Sequence, residues 1–561
     1  MRRAPLWWAV PVLGHLFGLT LFAAAPAARF GFPLDDAWIH RVYARSVAAG
    51  RGFAYNPSRA EAGATSPLWV IVSAPAHWLA PLGTEAVVMA VKSLGAVLTT
   101  AALASTGSLA AALTGRWEAG WLAALVFALE PRLLFAALSG METPLLLALW
   151  LGGLSAALRG RPRRALLFAS LLPLARPEGA LLLAAWPLVL PPDFKGGRSA
   201  GRLQRWAWAW IPAALWVAVC LRTTGHPLPN TFYLKARKPH LGLAELRTAF
   251  EILTGAGFGV APAAWLALAA LGLGCRRGLG RGRRRVVATG LLGFPCLYVL
   301  AVAATRRLVP AGYYWTRWLD APALVLAAGS VVGFVLAVVR PEQLLPAAGL
   351  DPPGTSRSRQ RPAGLVRAGA VLAALASVPP VAASFRERRA RLASDARAVQ
   401  LVDVRAGRWV AAHLPPGAAL ATNDAGAVRY FGNRWTLDLM GLNHADLAFG
   451  RRSRRELMAS HSIRWLLVFP SWFAGSPLLA GFVPRRAFGV PAAEYTVCPC
   501  PGQNELVLFE ARRDRALDQA PPSTEPGVGM TPSSAPRPPT PTPPRAGGRP
   551  RESSAGPPRP P

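Results

Sequence analysis

Charge is scarce in this chain of 561 residues. Only 16% are Asp, Glu, Lys or Arg, against about 25% in ordinary soluble domains. Acidic residues are scarcer still, 28 against 62 basic ones. Lysine is nearly missing: Lys92, Lys195, Lys235 and Lys238 are all there are, so the positive charge is arginine. Five cysteines exclude a disulfide-dense scaffold. Cys220, Cys275 and Cys296 sit in or beside apolar stretches and read as small core residues. Cys498 and Cys500 flank Pro499, a C-x-C without the further ligands a metal site needs, and a disulfide in so tight a ring would be strained. No H-x-x-H or D-x-D set with a third ligand occurs and no short-period repeat, so a metal cofactor is not implied; a divalent ion stays open.

What is present is apolar residue, 52% of the chain, with a mean hydropathy of +0.29. That excludes disorder throughout and points to a polytopic membrane unit with appendages. The formal charge of +34 suggests nucleic acid at first sight. Its distribution argues otherwise, because the arginines fall in clusters between apolar stretches, the pattern of cytoplasmic loops.

Those clusters set an expected topology. Leu6 to Phe30 follows Met1-Arg2-Arg3 and reads as a first transmembrane helix with the N-terminus inside. Arg159 to Arg164, Lys195 to Arg205, Arg276 to Arg285 and Arg340 to Arg367 mark inner loops. Spans are expected near 86–113, 118–138, 143–158, 206–222, 257–274, 286–304, 318–339 and 367–383, with two short helices between Ala165 and Leu190 turning at Arg176-Pro-Glu-Gly179. The run Leu68 to Leu79 is too short to cross about 30 Å of hydrocarbon and is expected to lie at the outer interface. The expected fold is therefore an α-helical polytopic membrane protein of about 11 transmembrane helices over residues 1–383, with a first outer loop at 31–67. An extracytoplasmic α/β or α+β domain over 384–512 follows, with strand-like runs at Trp465–Phe469 and Glu505–Phe509. The Pro/Arg-rich tail 513–561 reads as disordered.

The first outer loop carries the densest chemistry. It reads Phe32-Pro-Leu-Asp-Asp-Ala-Trp-Ile-His40, then Arg41-Val-Tyr-Ala-Arg45. Asp35 or Asp36 could cap a helix running to about Ala49. On that helix Asp36, His40 and Tyr43 share a face, with Arg41 and Arg45 on a neighbouring one. A carboxylate at a membrane surface can take the proton of an attacking hydroxyl, and nearby cations can stabilise a departing lipid phosphate. Capping, an interfacial histidine and headgroup contacts explain the same residues without catalysis.

The run Leu34 to His40, with Tyr43-Ala-Arg45, Gly52-Phe53, Asn56-Pro57 and Thr65 to Trp69, resembles the first-loop signature of bacterial GT-C membrane glycosyltransferases. It is most similar to the group of the mycobacterial terminal arabinofuranosyltransferase. Ser139-Gly-Met-Glu-Thr143, Arg176 to Gly179, Pro227 to Tyr233, Ala421 to Gly426 and Asp438 to Leu442 resemble further blocks of that group. The resemblance implies an inverting, polyprenyl-phosphate-sugar-dependent transferase (mannosyl- and arabinosyltransferases are the nearest kinds) in a bacterial plasma membrane. It implies an extracytoplasmic glycan, lipid or protein acceptor and no partner nucleic acid. By position it makes Asp35 or Asp36 the base. Where many relatives carry Arg before the Tyr of this block, the chain has Val42.

Glu142 is the second catalytic candidate, an acid between two apolar spans. Ser139 and Glu142 also have the spacing of a capping box. Arg176 and Glu178 could pair or face the cavity, and Asn230, Tyr233 and Lys235 could bind donor phosphate or sugar. Arg317, with Tyr313 and Tyr314, forms an aromatic–cation patch that fits either sugar stacking or an interfacial belt. The rival functions are a transporter or lipid flippase, disfavoured by spans nearly free of charge, and a non-catalytic envelope assembly protein.

Overall fold

The computed structural model describes residues 8–57, 59–190, 199–236, 239–254, 281–341, 356–498 and 502–512. The span expected near 257–274, Cys275, Cys500 and the tail 513–561 lie outside these residues. Cys498 is disulfide-bonded.

Among the described residues, four helical stretches are long and apolar enough to cross a membrane: Thr84–Thr114, Val286–Thr305, Tyr313–Val339 and Ala363–His413. Two bent pairs bring the number to six if each is one span, and Thr143–Leu158, Gly179–Leu188 and Ile211–Thr224 are shorter apolar helices. The first expected span is broken. Ala9–Phe22 ends where Pro26 opens a new helix, and the chain turns by 114° between the two arms. Proline lacks the N–H that would continue the ladder and biases the residue before it away from helix. The expected 118–138 span is likewise two helices, Trp117–Ala128 and Pro131–Leu138, bent by 65° at a proline.

The expected 143–158 helix forms as Thr143–Leu158, and the expected turn at Arg176 joins Pro162–Ala175 to Gly179–Ala185. Thr84–Thr114 packs along Thr143–Leu158 and Trp117–Ala128, which centres the bundle. Small residues allow the approach: a Cβ on Gly95 would strike the backbone of Ala137. Leu68 to Leu79 is a helix, Pro67–Ser73, continued by a 3₁₀ segment, Ala74–Leu82. The helix expected near 367–383 continues without interruption to Val399 as Ser356–Val399.

Beyond it the described residues form one five-stranded sheet: β1 Ala419–Thr422, β2 Trp435–Asp438, β3 Trp465–Val468, β4 Phe482–Gly489 and β5 Glu505–Ala511. The order is β2-β1-β3-β5-β4, with β2, β1 and β3 parallel and the last two pairs antiparallel. Strand side chains alternate between two apolar layers. Leu420, Leu467, Leu506 and Leu508 pack with Val402, Ala406, Val410 and Val428 on one face. Ala421, Leu466 and Val468 pack with Leu439, Leu457 and Met458 on the other. This is a mixed α/β layer structure.

Candidate active site

The segment expected as the first outer loop forms a helix, Asp35–Ala48, with Leu34 as its N-cap and no side-chain cap bond. The capping expectation is therefore corrected. Asp35 and Asp36 are the first two helical residues, and other partners claim both. Their charges still favour the positive end of the helix.

Asp35 turns toward the sheet domain. Its Oδ2 accepts from the Gly426 N–H and its Oδ1 from the Ala427 N–H, each at 2.6 Å. Gly426 is needed there, since a Cβ would collide with the Asp35 carbonyl and carboxylate. Asp424 also hydrogen-bonds Asp35 and reaches Asp403. Burial raises both Asp35 and Asp424, and repulsion from Asp35 adds to the rise at Asp424.

Asp36 turns the other way. Lys235 Nζ donates to Oδ1 at 3.2 Å and to Oδ2 at 3.1 Å, and Arg317 Nη2 donates to Oδ2. Burial alone would raise this carboxyl, but Lys235 and Arg317 outweigh it and hold it well below the usual carboxylate range. Lys235 comes from the short helix Asn230–Lys235 and Arg317 from a 3₁₀ turn, Arg317–Leu319.

A second row of buried charges lies beside this pair. His40 Nε2 is 3.5 Å from Glu142 Oε2, and Glu142 Oε1 is 3.0 Å from Arg176 Nη1. Arg176 Nε is 3.5 Å from Glu178 Oε2, and Glu178 Oε1 is 3.1 Å from Arg306 Nη2. The cations overcome the burial cost and keep both glutamates below their ordinary range. Glu142 precedes Thr143–Leu158 without capping it, and Ser139 instead accepts from Met141 N, so the expected capping box does not form.

The two rows meet at Trp318. The guanidinium carbons of Arg176, Arg306 and Arg317 lie 4.8, 4.7 and 4.7 Å from its ring centroid. Such stacking holds several cations close together without a carboxylate for each. The cluster sets Lys235, Arg317, Arg176 and Arg306 against Asp36, Glu142 and Glu178. Asp320, paired with Arg132, also faces Arg176 and Arg317. Among the described residues, Arg306 Nε and Nη1 are buried without a hydrogen-bond partner.

Other expected site residues fall elsewhere. Tyr43 donates to Asn443 Oδ1 at 3.0 Å and helps pin the loop to the sheet domain. Asn230 Nδ2 reaches Glu61 Oε2 at 3.5 Å, and Tyr233 packs with His226 and Phe449. Arg41 and Arg45 lie on a different helical face from Asp36: Arg41 bonds Ser73, and Arg45 the Tyr430 carbonyl. Sequence reading passed over Arg306 and Trp318. Among the described residues no group of three His, Cys, Asp or Glu is placed to hold a metal ion.

Chemically, the arrangement offers a carboxylate, Asp36, paired with two buried cations, and a further cation, Arg306, with donors not used in hydrogen bonds among the described residues. A phosphate at this position would be met by charge-assisted hydrogen bonds.

Comparison with known proteins agrees on the architecture. ArnT from Cupriavidus metallidurans, in the structure bound to undecaprenyl phosphate, superposes with a TM-score of 0.53 at 13% identity, covering 89% of this chain and 97% of that one. Its apo state gives 0.52 at 14% identity with the same coverage. The Archaeoglobus fulgidus oligosaccharyltransferase tethered with an acceptor peptide gives 0.50 at 12% identity, covering 83% of this chain and 69% of that one. These likenesses show a shared fold. A domain of unknown function (DUF8728) matches residues 390–509, the sheet domain with the end of the helix leading into it. No curated protein matches the chain by sequence.

Proposed function

We propose that this chain is a GT-C-type inverting glycosyltransferase of a bacterial plasma membrane, moving a sugar from a polyprenyl-phosphate donor to an extracytoplasmic acceptor. The observation that carries this reading is the division of labour between the two loop aspartates. Asp35 is spent on backbone N–H groups of the sheet domain, whereas Asp36 faces Lys235 and Arg317. The shared fold with a protein captured on undecaprenyl phosphate supports a lipid-linked donor.

In the proposed reaction the acceptor hydroxyl gives its proton to Asp36 as its oxygen bonds the anomeric carbon. The bond from that carbon to the phosphate oxygen breaks, and the electron pair leaves on the phosphate. Lys235, Arg317 and Arg306 neutralise that charge where it develops. Asp36 is a feeble base while both cations hold it. A donor phosphate competes for the same cations, so its arrival loosens Asp36 and raises its basicity where a proton must be taken. Glu142 and His40 position the helix bearing Asp36, through Arg176 and Glu178, relative to Arg306. No step requires a metal ion.

The deciding experiment is mass spectrometry of envelope glycans and polyprenyl-phosphate sugars from a strain lacking the gene, complemented with wild type or Asp36→Asn. Accumulation of one donor lipid, cured by wild type alone, is the expected result. Unchanged glycans and donor lipids in the deletion strain would remove the proposal.

A further inference from the structure

Arg41 is anomalous. It is 0% exposed, yet among the described residues it meets no carboxylate. Its Nη2 donates to Ser73 Oγ at 2.8 Å and its guanidinium lies 5.7 Å from the Trp69 ring centroid. Its Nε and Nη1 have no hydrogen-bond partner. A buried cation without a counter-ion is among the costliest arrangements a fold can hold.

The surroundings add positive charge. Arg45 follows one turn later, donating to the Tyr430 carbonyl at 3.0 Å with its guanidinium 4.6 Å from the Tyr430 ring centroid. His77, on the 3₁₀ segment Ala74–Leu82, is buried against the same tyrosine ring, and among the described residues neither ring nitrogen has a hydrogen-bond partner. Both arginines face His77 closely enough to depress its pKa, after burial has already done so. This cluster is separate from the Asp36 cluster. At about 100° per residue, Arg41 and Arg45 stand about 140° and 180° around the helix from Asp36.

The segment covering the cluster turns apolar side chains outward. Trp78 is 70% and Leu82 77% exposed, with Ile71, Val72 and Leu79 beside them. Such side chains, with a tryptophan among them, suit the boundary between headgroups and acyl chains.

We propose that Arg41, Arg45, His77 and Ser73 form a binding site for the phosphate of an anionic bilayer lipid, which enters beneath the Pro67–Leu82 segment while Trp78 and Leu82 rest among its acyl chains. The lipid phosphate supplies the negative charge that Arg41 lacks. The bound lipid braces the helix carrying Asp36 from the side away from the reacting atoms. This site does not depend on the transfer reaction.

The test uses the full-length protein in a neutral detergent, melted with phosphatidylglycerol, phosphatidylcholine or inorganic phosphate added. Phosphatidylglycerol should raise the wild-type midpoint by several degrees and phosphatidylcholine should not. Arg41→Met, which keeps the volume without the charge, should lose most of that rise while being at least as stable as wild type in detergent alone. Arg45→Ala, at a half-buried position, provides a second variant should the first not fold, with retained lipid counted by native mass spectrometry. An equal rise in wild type and both variants, or no rise at all, overturns the site. An equal rise with inorganic phosphate assigns the anion to solution and overturns the lipid part of the proposal.

Discussion

Replacing Asp36 by Asn should separate binding from chemistry. The carboxylate now accepts charge-assisted contacts from Lys235 and Arg317. Hydrogen bonds to charged groups contribute about 1.5–3 kcal/mol each. A donor phosphate must draw these cations away, so Asp36 weakens donor binding in the act of preparing itself as a base. An asparagine keeps one neutral acceptor and cannot hold both cations as firmly. About 1.5–3 kcal/mol of competition is removed, which corresponds to ~10- to 100-fold tighter binding of a polyprenyl phosphate. Sugar transfer should meanwhile fall by about 10²–10⁴, the usual contribution of a positioned base. The assay pairs undecaprenyl-phosphate titration by intrinsic fluorescence with single-turnover transfer from a radiolabelled donor lipid, on variants whose melting midpoint matches wild type. Wild-type transfer in Asp36→Asn refutes the base assignment. Unchanged or weaker binding refutes the competition, because the cations would then not be shared.

Other substitutions probe the supports of this site. Asp35→Asn leaves one of the Gly426 and Ala427 N–H groups badly paired and should cost about 1–3 kcal/mol of stability, read as a lower melting midpoint, with transfer restored by lowering the assay temperature. Gly426→Ala forces a methyl group against Asp35 and should cost about 1–3 kcal/mol in the same measurement, and wild-type stability would show that the loop can yield. Arg306→Met should lower kcat for transfer about tenfold or more with a smaller change in donor KM, since it is assigned to the charge that develops on the leaving phosphate. Glu61, in contact with Asn230 and the Ala445 N–H, is pushed by burial from its ordinary 4.5 to about 7, Arg59 opposing only in part. Its contribution to stability is therefore full below pH 4.5 and lost as pH rises through 7, up to about 3 kcal/mol. Melting midpoints of wild type should fall relative to Glu61→Gln between pH 5 and 8, and parallel curves would contradict this.

The helical architecture was largely legible because apolar length is a one-dimensional signal. Thr143–Leu158 forms where it was expected. Leu6 to Phe30 reads as one uninterrupted helix because Ala24, Ala25 and Ala27 keep the hydropathy high, whereas the helix breaks before Pro26. The paired aspartates were visible as chemistry, but not the difference between them. That difference is set by Lys235 and Arg317, 199 and 281 residues away, and by Gly426, 391 residues away. Local spacing carries no information about such partners. Ser139 and Glu142 satisfied a capping pattern on paper, yet Gly140 at a φ of +74° turns the chain there and Arg176 takes the carboxylate. Arg306 was one arginine among dozens, and only its packing on Trp318 distinguishes it.

The pinning of the first loop to the sheet domain has a consequence for how the protein comes into being. Tyr55 donates to the Ala425 carbonyl, Asn56 exchanges two hydrogen bonds with Thr436, and Tyr43 bonds Asn443. These contacts join segments 370–400 residues apart. Synthesis proceeds at about 5–20 residues per second, and a contact cannot form before both halves exist. The helix bearing Asp36 is therefore made early and waits for most of the chain to follow. A chain made only as far as Val399 holds the candidate spans up to that point and still lacks the sheet-domain partners of that helix. The loop's hydrogen-bond partners are thus complete only once the chain has been made through Asn443.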